Sequence, residues 1–205
     1  MLLDEDLSYS TEEICVMMLV LDNTLSQNPV IPVTAIELGA GVGRITTTLA
    51  SRVKFLTAVE LVPSFATKNK ERCIATGINN VLVICADVRE FEVPSTLDMA
   101  FIKWILMFLS DEEAENLLNK IANSLVVGGI IFLNETCVPK ETNSFLYCCS
   151  DNYIANYRSI EWYSSRLNAI GGTLTISYVL DDVIYKDYIE RSGDKNQQPI
   201  LIWRK

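Results

Sequence analysis

The sequence predicts an α/β protein with a seven-stranded, mostly parallel sheet, helices on both faces and an antiparallel C-terminal hairpin. Three observations predict it. Short runs rich in β-branched residues alternate with segments at helical spacing from Thr34 to Trp203. A Gly39-Ala40-Gly41-Val42-Gly43 turn follows the first of these runs directly, and the last two runs have no helical segment between them. Strands separated by helices need a parallel sheet covered on both sides, whereas strands joined without one pair antiparallel. At 205 residues the chain is expected to be one domain, residues 1–205.

Taken in order, Ser10 and Glu13 have the spacing of a capping box ahead of Ile14–Leu21, an opening helix that Pro29 and Pro32 end. Thr34–Leu38 is the first strand and Arg44–Arg52 the helix beyond the glycine turn. Lys54–Glu60 is a second strand, Ser64–Ala75 a helix, Val81–Cys85 a third strand and Met99–Lys103 a fourth. Ser110 and Glu113 form another capping-box pair before Asp111–Leu125, where Ala114, Leu117, Leu118, Ile121 and Leu125 fall on one helical face. Gly128-Gly129 should stop that helix. Ile130–Leu133 is a fifth strand, Arg158–Ala169 a helix ended by Gly171-Gly172, Thr173–Val179 a sixth strand and Pro199–Trp203 a seventh. Five βα units and an antiparallel end are the layout of the Rossmann-like class I methyltransferase fold. In such sheets ligands lie across the carboxyl ends of the strands, where strand order reverses.

Composition narrows the chemistry. Apolar residues make up 49% and charged residues 21%, a globular balance, and the net charge of −9 disfavours nucleic acid and anionic membranes. The longest apolar run, Ile14–Leu21, is far shorter than the roughly 20 residues of a membrane span, so no membrane insertion and a cytoplasmic location are expected. The chain has no histidine, which removes Ser-His and Cys-His nucleophile pairs and His-containing zinc sites. Its six cysteines form no two-residue-spaced pair, so no metal is expected and reduced thiols are the simpler reading.

The residues that can carry chemistry sit at the strand ends. Glycines at 39, 41 and 43 permit a tight turn and close approach of a ligand, although a purely structural strand-to-helix turn has the same composition. Glu60, 21 residues after Gly39 at the end of the second strand, is placed to accept from both hydroxyls of a ribose. Asp87, just past the third strand, is placed to meet an adenine amino group, with Val88 supplying an apolar neighbour and a backbone N–H. NAD and S-adenosylmethionine both suit such a set. The every-second-residue glycines and the acid Glu37 before them favour S-adenosylmethionine. Arg44 can hold a carboxylate such as that of a methionine moiety, or a structural salt bridge.

The segments Glu37–Arg44, Cys85–Val88, Lys103–Asp111, Asn134–Cys137, Tyr157-Arg158 and Lys195–Gln198 through to Trp203 together resemble phosphoethanolamine N-methyltransferases, most of all the first methyltransferase domain of the plant and nematode-type enzymes. The resemblance covers nearly the whole chain, and the stretch from Trp104 to Asp111 is its most specific part. It implies S-adenosyl-L-methionine as cofactor, with contacts at Gly39, Gly41, Arg44, Glu60, Asp87, Val88 and Lys103. Relatives usually have aspartate at the position of Glu60 and asparagine at that of Lys103, so here a cation stands beside a sulfonium ligand. For a small-molecule phosphobase it implies Thr136, where relatives have serine, and Tyr157. The stretch between these two is longer than in the plant domains, so residues 137–160 are expected as a substrate-side insertion, in which Lys140 has no sure counterpart. Arg158 is added on chemical grounds, since a guanidinium fork suits phosphate; its structural alternative is an ion pair with Glu161.

Methyl transfer from a sulfonium is an in-line displacement, so the protein has chiefly to align nitrogen, methyl and sulfur and let the amine lose its proton. The absence of histidine is therefore tolerable. Related enzymes use a tyrosine and a histidine near the amine; the histidine position corresponds to Phe108, which with Trp104 and Tyr157 can face a methylated ammonium through cation–π contact or simply pack. No catalytic base is assigned. The family also carries a tyrosine-bearing lid ahead of the position of Met1, and residues 1–30, with Tyr9, are expected as a partial lid, with a second methyltransferase domain or chain as a conceivable partner. The expected activity is methylation of phosphoethanolamine or its mono- and dimethyl forms toward phosphocholine. Two alternatives stand beside it: methylation of a protein N-terminal amine, and a catalytically silent methyltransferase-like domain.

Overall fold

The computed structural model of the chain describes residues 6–27, 32–142, 144–150, 153–187, 190 and 195–205. The opening helix α1 spans Asp6–Ser26. It is followed by β1 (Thr34–Leu38), the short α2 (Thr46–Leu49) with a 3-10 turn over Ala50–Arg52, β2 (Phe55–Glu60), α3 (Pro63–Ala75), β3 (Val81–Cys85) and β4 (Leu97–Lys103). Then come a 3-10 turn over Leu106–Phe108, α4 (Asp111–Ser124), β5 (Leu125–Asn134), and three short strands, β6 (Cys137–Val138), β7 (Ser144–Ser150) and β8 (Tyr153–Ser159). The chain closes with α5 (Ile160–Ile170), β9 (Thr173–Ser177), α6 (Val179–Val183) and β10 (Ile200–Arg204).

The main sheet has the order β3-β2-β1-β4-β5-β10-β9. Its first five strands are parallel, and β10 runs antiparallel between β5 and β9. This is the expected Rossmann-like class I methyltransferase sheet, with the order reversing between β1 and β4. Strand alternation divides the core. Ile36, Leu38, Ala100, Ile102, Ile131 and Leu133 face α4 and α5, meeting Leu117, Leu118, Ile121 and Leu167. Ala35, Met99, Phe101, Ile130 and Phe132 face the opposite way, against Met17, Met18 and Leu21 of α1 and Leu180 of α6. The cross-strand partners Phe101 and Phe132 stack with ring centroids 4.8 Å apart. Helices thus cover both faces of the sheet.

Several expectations need correction. Helix α1 begins at Asp6, so Ser10 lies inside it and not at its start; the apolar run covers only part of its length, and Leu19 within that run is 68% exposed. Pro29 lies outside the described residues. Gly128-Gly129 do not stop α4, which ends at Ser124; they lie within β5, whose first residue, Leu125, already pairs with Leu97 across an irregularity in register. The capping box at Ser110 and Glu113 does form. Residues 137–160 carry a second sheet, order β6-β8-β7, which went unread because β7 and β8 lack a clean alternation. Arg158 accordingly sits on β8 and α5 starts at Ile160, capped by the Ser159 hydroxyl. The last two strands pair antiparallel as expected, but α6 stands between them.

Candidate functional site

Register brings the expected residues to one edge. Glu60 closes β2 opposite Cys85 of β3, and Lys103 closes β4 opposite Asn134 of β5. The backbone N–H groups of Gly39 and Ala40 donate to the Val59 carbonyl at 2.9 and 3.0 Å, and that of Ala86 to the Glu60 carbonyl at 3.0 Å. The turn after β1 and the segment after β3 therefore flank Glu60 on either side.

Gly39 has φ 72°, and a Cβ there would run into the Ile105 side chain, so the turn needs glycine to let the segment after β4 pack against it. Gly41 has φ 55° and differs: a Cβ would meet no atom within 4 Å, which leaves open space above the turn. The Glu60 carboxylate, 7% exposed, accepts from the Gly41 N–H and the Val62 N–H, both at 2.8 Å. It fixes the glycine turn to the end of β2. Beneath the turn, Glu37 is buried on the α1 side of the sheet, and burial raises its carboxyl to about 8 against a hydrogen bond from Thr46. Asn69 of α3 donates to the Thr46 hydroxyl at 3.0 Å and continues this polar chain.

Asp87 accepts from the backbone N–H and the guanidinium of Arg89, whose hydrogen bonds hold its carboxyl below the ordinary value. Any adenine amino group would share that carboxylate with Arg89. Val88 is buried in the core, and Arg44 is exposed. Arg44 also borders a cleft of about 500 Å³ between α1, α2 and α3, lined by Ile14, Met18, Leu19 and Arg72 among others. None of the other expected cofactor residues lines that cleft. That cleft carries charged groups of its own, Asp22, Arg44, Arg52 and Arg72; the strand ends are the candidate site because the Glu60 carboxylate and the open glycine turn lie there.

Past β4, Trp104 is the one non-glycine residue with positive φ, 53°, among the described residues. Its indole is 38% exposed and donates to Gln198 Oε1 at 3.2 Å; Phe108 is 46% exposed. Gln198 in turn donates from its side-chain amide to the Thr136 hydroxyl at 2.8 Å. Behind this wall, fully buried Glu135 accepts from the N–H groups of Ile105 and Leu106, each at 2.8 Å. Burial raises its carboxyl to about 7, partly offset by these N–H groups and by Lys103. Sequence reading missed Glu135; an acid inside an apolar strand end, beside Asn134 and Thr136, was its only signal. Lys103 turns toward α1 and pairs with Glu13 at 2.7 Å, and burial pulls its ammonium below the ordinary lysine value.

Two expectations on the acceptor side meet different surroundings. Arg158 is fully buried: its Nε donates to Asp111 Oδ1 at 2.7 Å and its two terminal nitrogens to the carbonyls of Leu106 and Leu109 at 2.7 and 2.6 Å. Its ion pair is with Asp111 and not with Glu161, and its fork is spent on the loop before α4, out of reach of a phosphate. Tyr157, its neighbour on β8, is half-buried, and Lys140 is exposed on a 3-10 turn. The side chain of Tyr9 lies outside the described residues. Among the described residues no cluster of three or more metal-ligating side chains occurs, and no helix is long and apolar enough to cross a membrane.

A family model described as a methyltransferase domain matches residues 35–129. Phosphoethanolamine N-methyltransferase 1 of Arabidopsis thaliana is 37% identical over 181 residues, 84% of this chain and 35% of the relative. An N-terminal Xaa-Pro-Lys N-methyltransferase of Xenopus laevis is 30% identical over 103 residues, 49% of this chain and 46% of that protein. Among solved structures, phosphoethanolamine N-methyltransferase 1 of Haemonchus contortus, in complex with phosphoethanolamine and S-adenosylhomocysteine, matches with TM-score 0.65 and 25% identity over 88% of this chain and 41% of that one. The chain spans 21–35% of the length of the plant relatives it matches. A methyltransferase domain of this fold indicates S-adenosylmethionine as the cofactor. The fold is that of class I S-adenosylmethionine-dependent methyltransferases, residues 35–129 match a methyltransferase-domain model, and phosphoethanolamine N-methyltransferases are among the proteins to which the chain is similar.

Proposed function

We propose that the domain transfers the methyl group of S-adenosylmethionine to the amine of phosphoethanolamine or its mono- and dimethyl forms. The observation that carries this reading is the pair of exposed aromatics, Trp104 and Phe108, on the segment that packs through Ile105 onto the glycine turn. We take the two rings as an aromatic wall for the acceptor ammonium. In this reading Gly41, Glu60 and Asp87 hold the adenosyl group. Its ribose takes the remaining lone pairs of Glu60, and its adenine meets the Asp87 carboxylate and the Val88 backbone N–H. Bound there, the cofactor supplies an electrophilic methyl. The chain's own part is to orient the amine and to shield it from water. Thr136 and Tyr157 face the phosphobase.

A second reading, transfer to a peptide N-terminal amine, is favoured by the burial of Arg158, which takes the expected phosphate ligand away. Isothermal calorimetry of the chain with S-adenosylhomocysteine, followed by phosphoethanolamine or an Xaa-Pro-Lys peptide, separates the two. Phosphoethanolamine is expected to bind the S-adenosylhomocysteine complex and to be methylated when S-adenosylmethionine is supplied. Binding of the peptide alone transfers the domain to the second reading.

A further inference from the structure

The Lys103 ammonium ends in a box with three walls. It donates to Glu13 Oε1 at 2.7 Å and to Asn134 Oδ1 at 3.0 Å, and it stands 3.3 Å from the centroid of the Trp104 ring. The Lys103 and Glu13 side chains are only 11% and 7% exposed. Each wall is held from behind. Asn134 spends its amide hydrogens on the carbonyls of Gln198 and Pro199 at 3.4 and 3.0 Å, so only its oxygen is offered to a cation. Glu13 is also hydrogen-bonded to the Tyr185 side chain. Trp104 is fixed at its indole N–H by Gln198 and at its backbone N–H by the Asn134 carbonyl at 3.1 Å.

A carboxylate, an amide oxygen and an indole face around one nitrogen are the elements that recognise an ammonium group. An ion pair that merely tied α1 to the sheet would need the carboxylate alone. The box also stands at the carboxyl end of β4, one residue from the wall that faces the expected acceptor. The geometry points to Lys103 as a tethered occupant of an ammonium-binding box formed by Glu13, Asn134 and Trp104, which the acceptor amine enters by displacing it. The role of the acceptor rests on the amine-methyltransferase reading; the box itself does not. Its specificity follows from donor count. A primary ammonium brings three N–H groups for Glu13 and Asn134, and each added methyl removes one. The box therefore prefers the unmethylated amine to a quaternary one, which keeps only the indole contact.

The test is chemical rescue in the full chain. Lys103→Ala leaves Glu13 buried without its partner and should melt at lower temperature than the wild type. Ethylammonium chloride at about ten times its dissociation constant should raise the melting temperature of this variant by about 3–6 °C beyond sodium chloride of equal ionic strength. Tetramethylammonium should do less, and the wild type, in which the amine must first displace Lys103, should respond less than the variant. A folded Lys103→Ala chain with no excess response to ethylammonium overturns the proposal. Should that variant not fold, Lys103→Ser keeps a small polar side chain too short to reach Glu13 and Asn134, so the box stays open. It should show ligand-observed NMR saturation transfer to ethylammonium that is lost on adding Trp104→Leu, and absence of transfer in Lys103→Ser overturns the proposal equally. Rescue without phosphoethanolamine methylation by the wild type keeps the box and discards the phosphobase; methylation without rescue does the reverse.

Discussion

Glu60 shows how one side chain can serve both the fold and a ligand. Its two oxygens already take the N–H groups of Gly41 and Val62, so the carboxylate is aimed and immobilised before any ribose arrives. Replacing it with glutamine turns one acceptor into a donor that faces an N–H group. Glu60→Gln should weaken S-adenosylhomocysteine binding by about 1.5–3 kcal/mol, roughly 10- to 150-fold, the worth of hydrogen bonds to a charged group. Calorimetry reads this directly, and unchanged affinity would place the ribose elsewhere. The position was legible in the sequence because strand length and the glycine turn fix where a strand-end acid must fall. Its double engagement was not, since hydrogen bonds to backbone N–H groups leave no trace in side-chain spacing.

At the scale of elements, the parallel strands read well because buried β-branched runs and the helices between them repeat a simple pattern; β1 and β3 match their expected ranges residue for residue. The second sheet did not, and the cost fell on the acceptor side. Reading Arg158 onto a helix made it a free guanidinium, whereas on β8 it enters the core and clamps the loop between β4 and α4. Lys103 was read as a cofactor contact from the family resemblance, and its pairing with Glu13, 90 residues away in sequence, left no signal there. Only tertiary packing brings the two together. The clamp predicts that Arg158→Ala destabilises the chain by about 2–4 kcal/mol, since the buried carbonyls of Leu106 and Leu109 lose their donors. Lysine should not rescue it, because a single ammonium cannot span three acceptors. Denaturant unfolding gives the stability. In kinetics the variant should impair cofactor and acceptor binding together, through the displaced Trp104–Phe108 wall; a selective rise in the Michaelis constant for a phosphorylated acceptor would instead return Arg158 to the phosphate.

Over the whole molecule, 26 acids against 17 bases make pH the natural probe, and two of the buried acids, Glu37 and Glu135, are pushed well above the ordinary carboxylate range. Burial raises Glu37 from 4.5 to about 8 and Glu135 from 4.5 to about 7. Between the unfolded and folded values the native chain holds protons that the unfolded chain releases, so rising pH favours unfolding. Their contribution to stability is complete below about pH 4.5 and is lost as the pH climbs through about 7 and 8, at up to about 1.4 kcal/mol per pH unit for each group. Asp22 and Asp87, held down by hydrogen bonds from Arg52 and Arg89, act in the opposite sense: their contribution is present above the ordinary carboxylate range and disappears as pH falls through their lowered values. Stability should therefore peak in the weakly acidic range. Glu37→Gln removes one of the two upper titrations while keeping an acceptor for Thr46. Urea unfolding at about pH 5, 7 and 9 should show wild-type stability falling more steeply than that of the variant between the first two, with the difference levelling off above about pH 8. Parallel profiles would mean that Glu37 is not held protonated beneath the glycine turn.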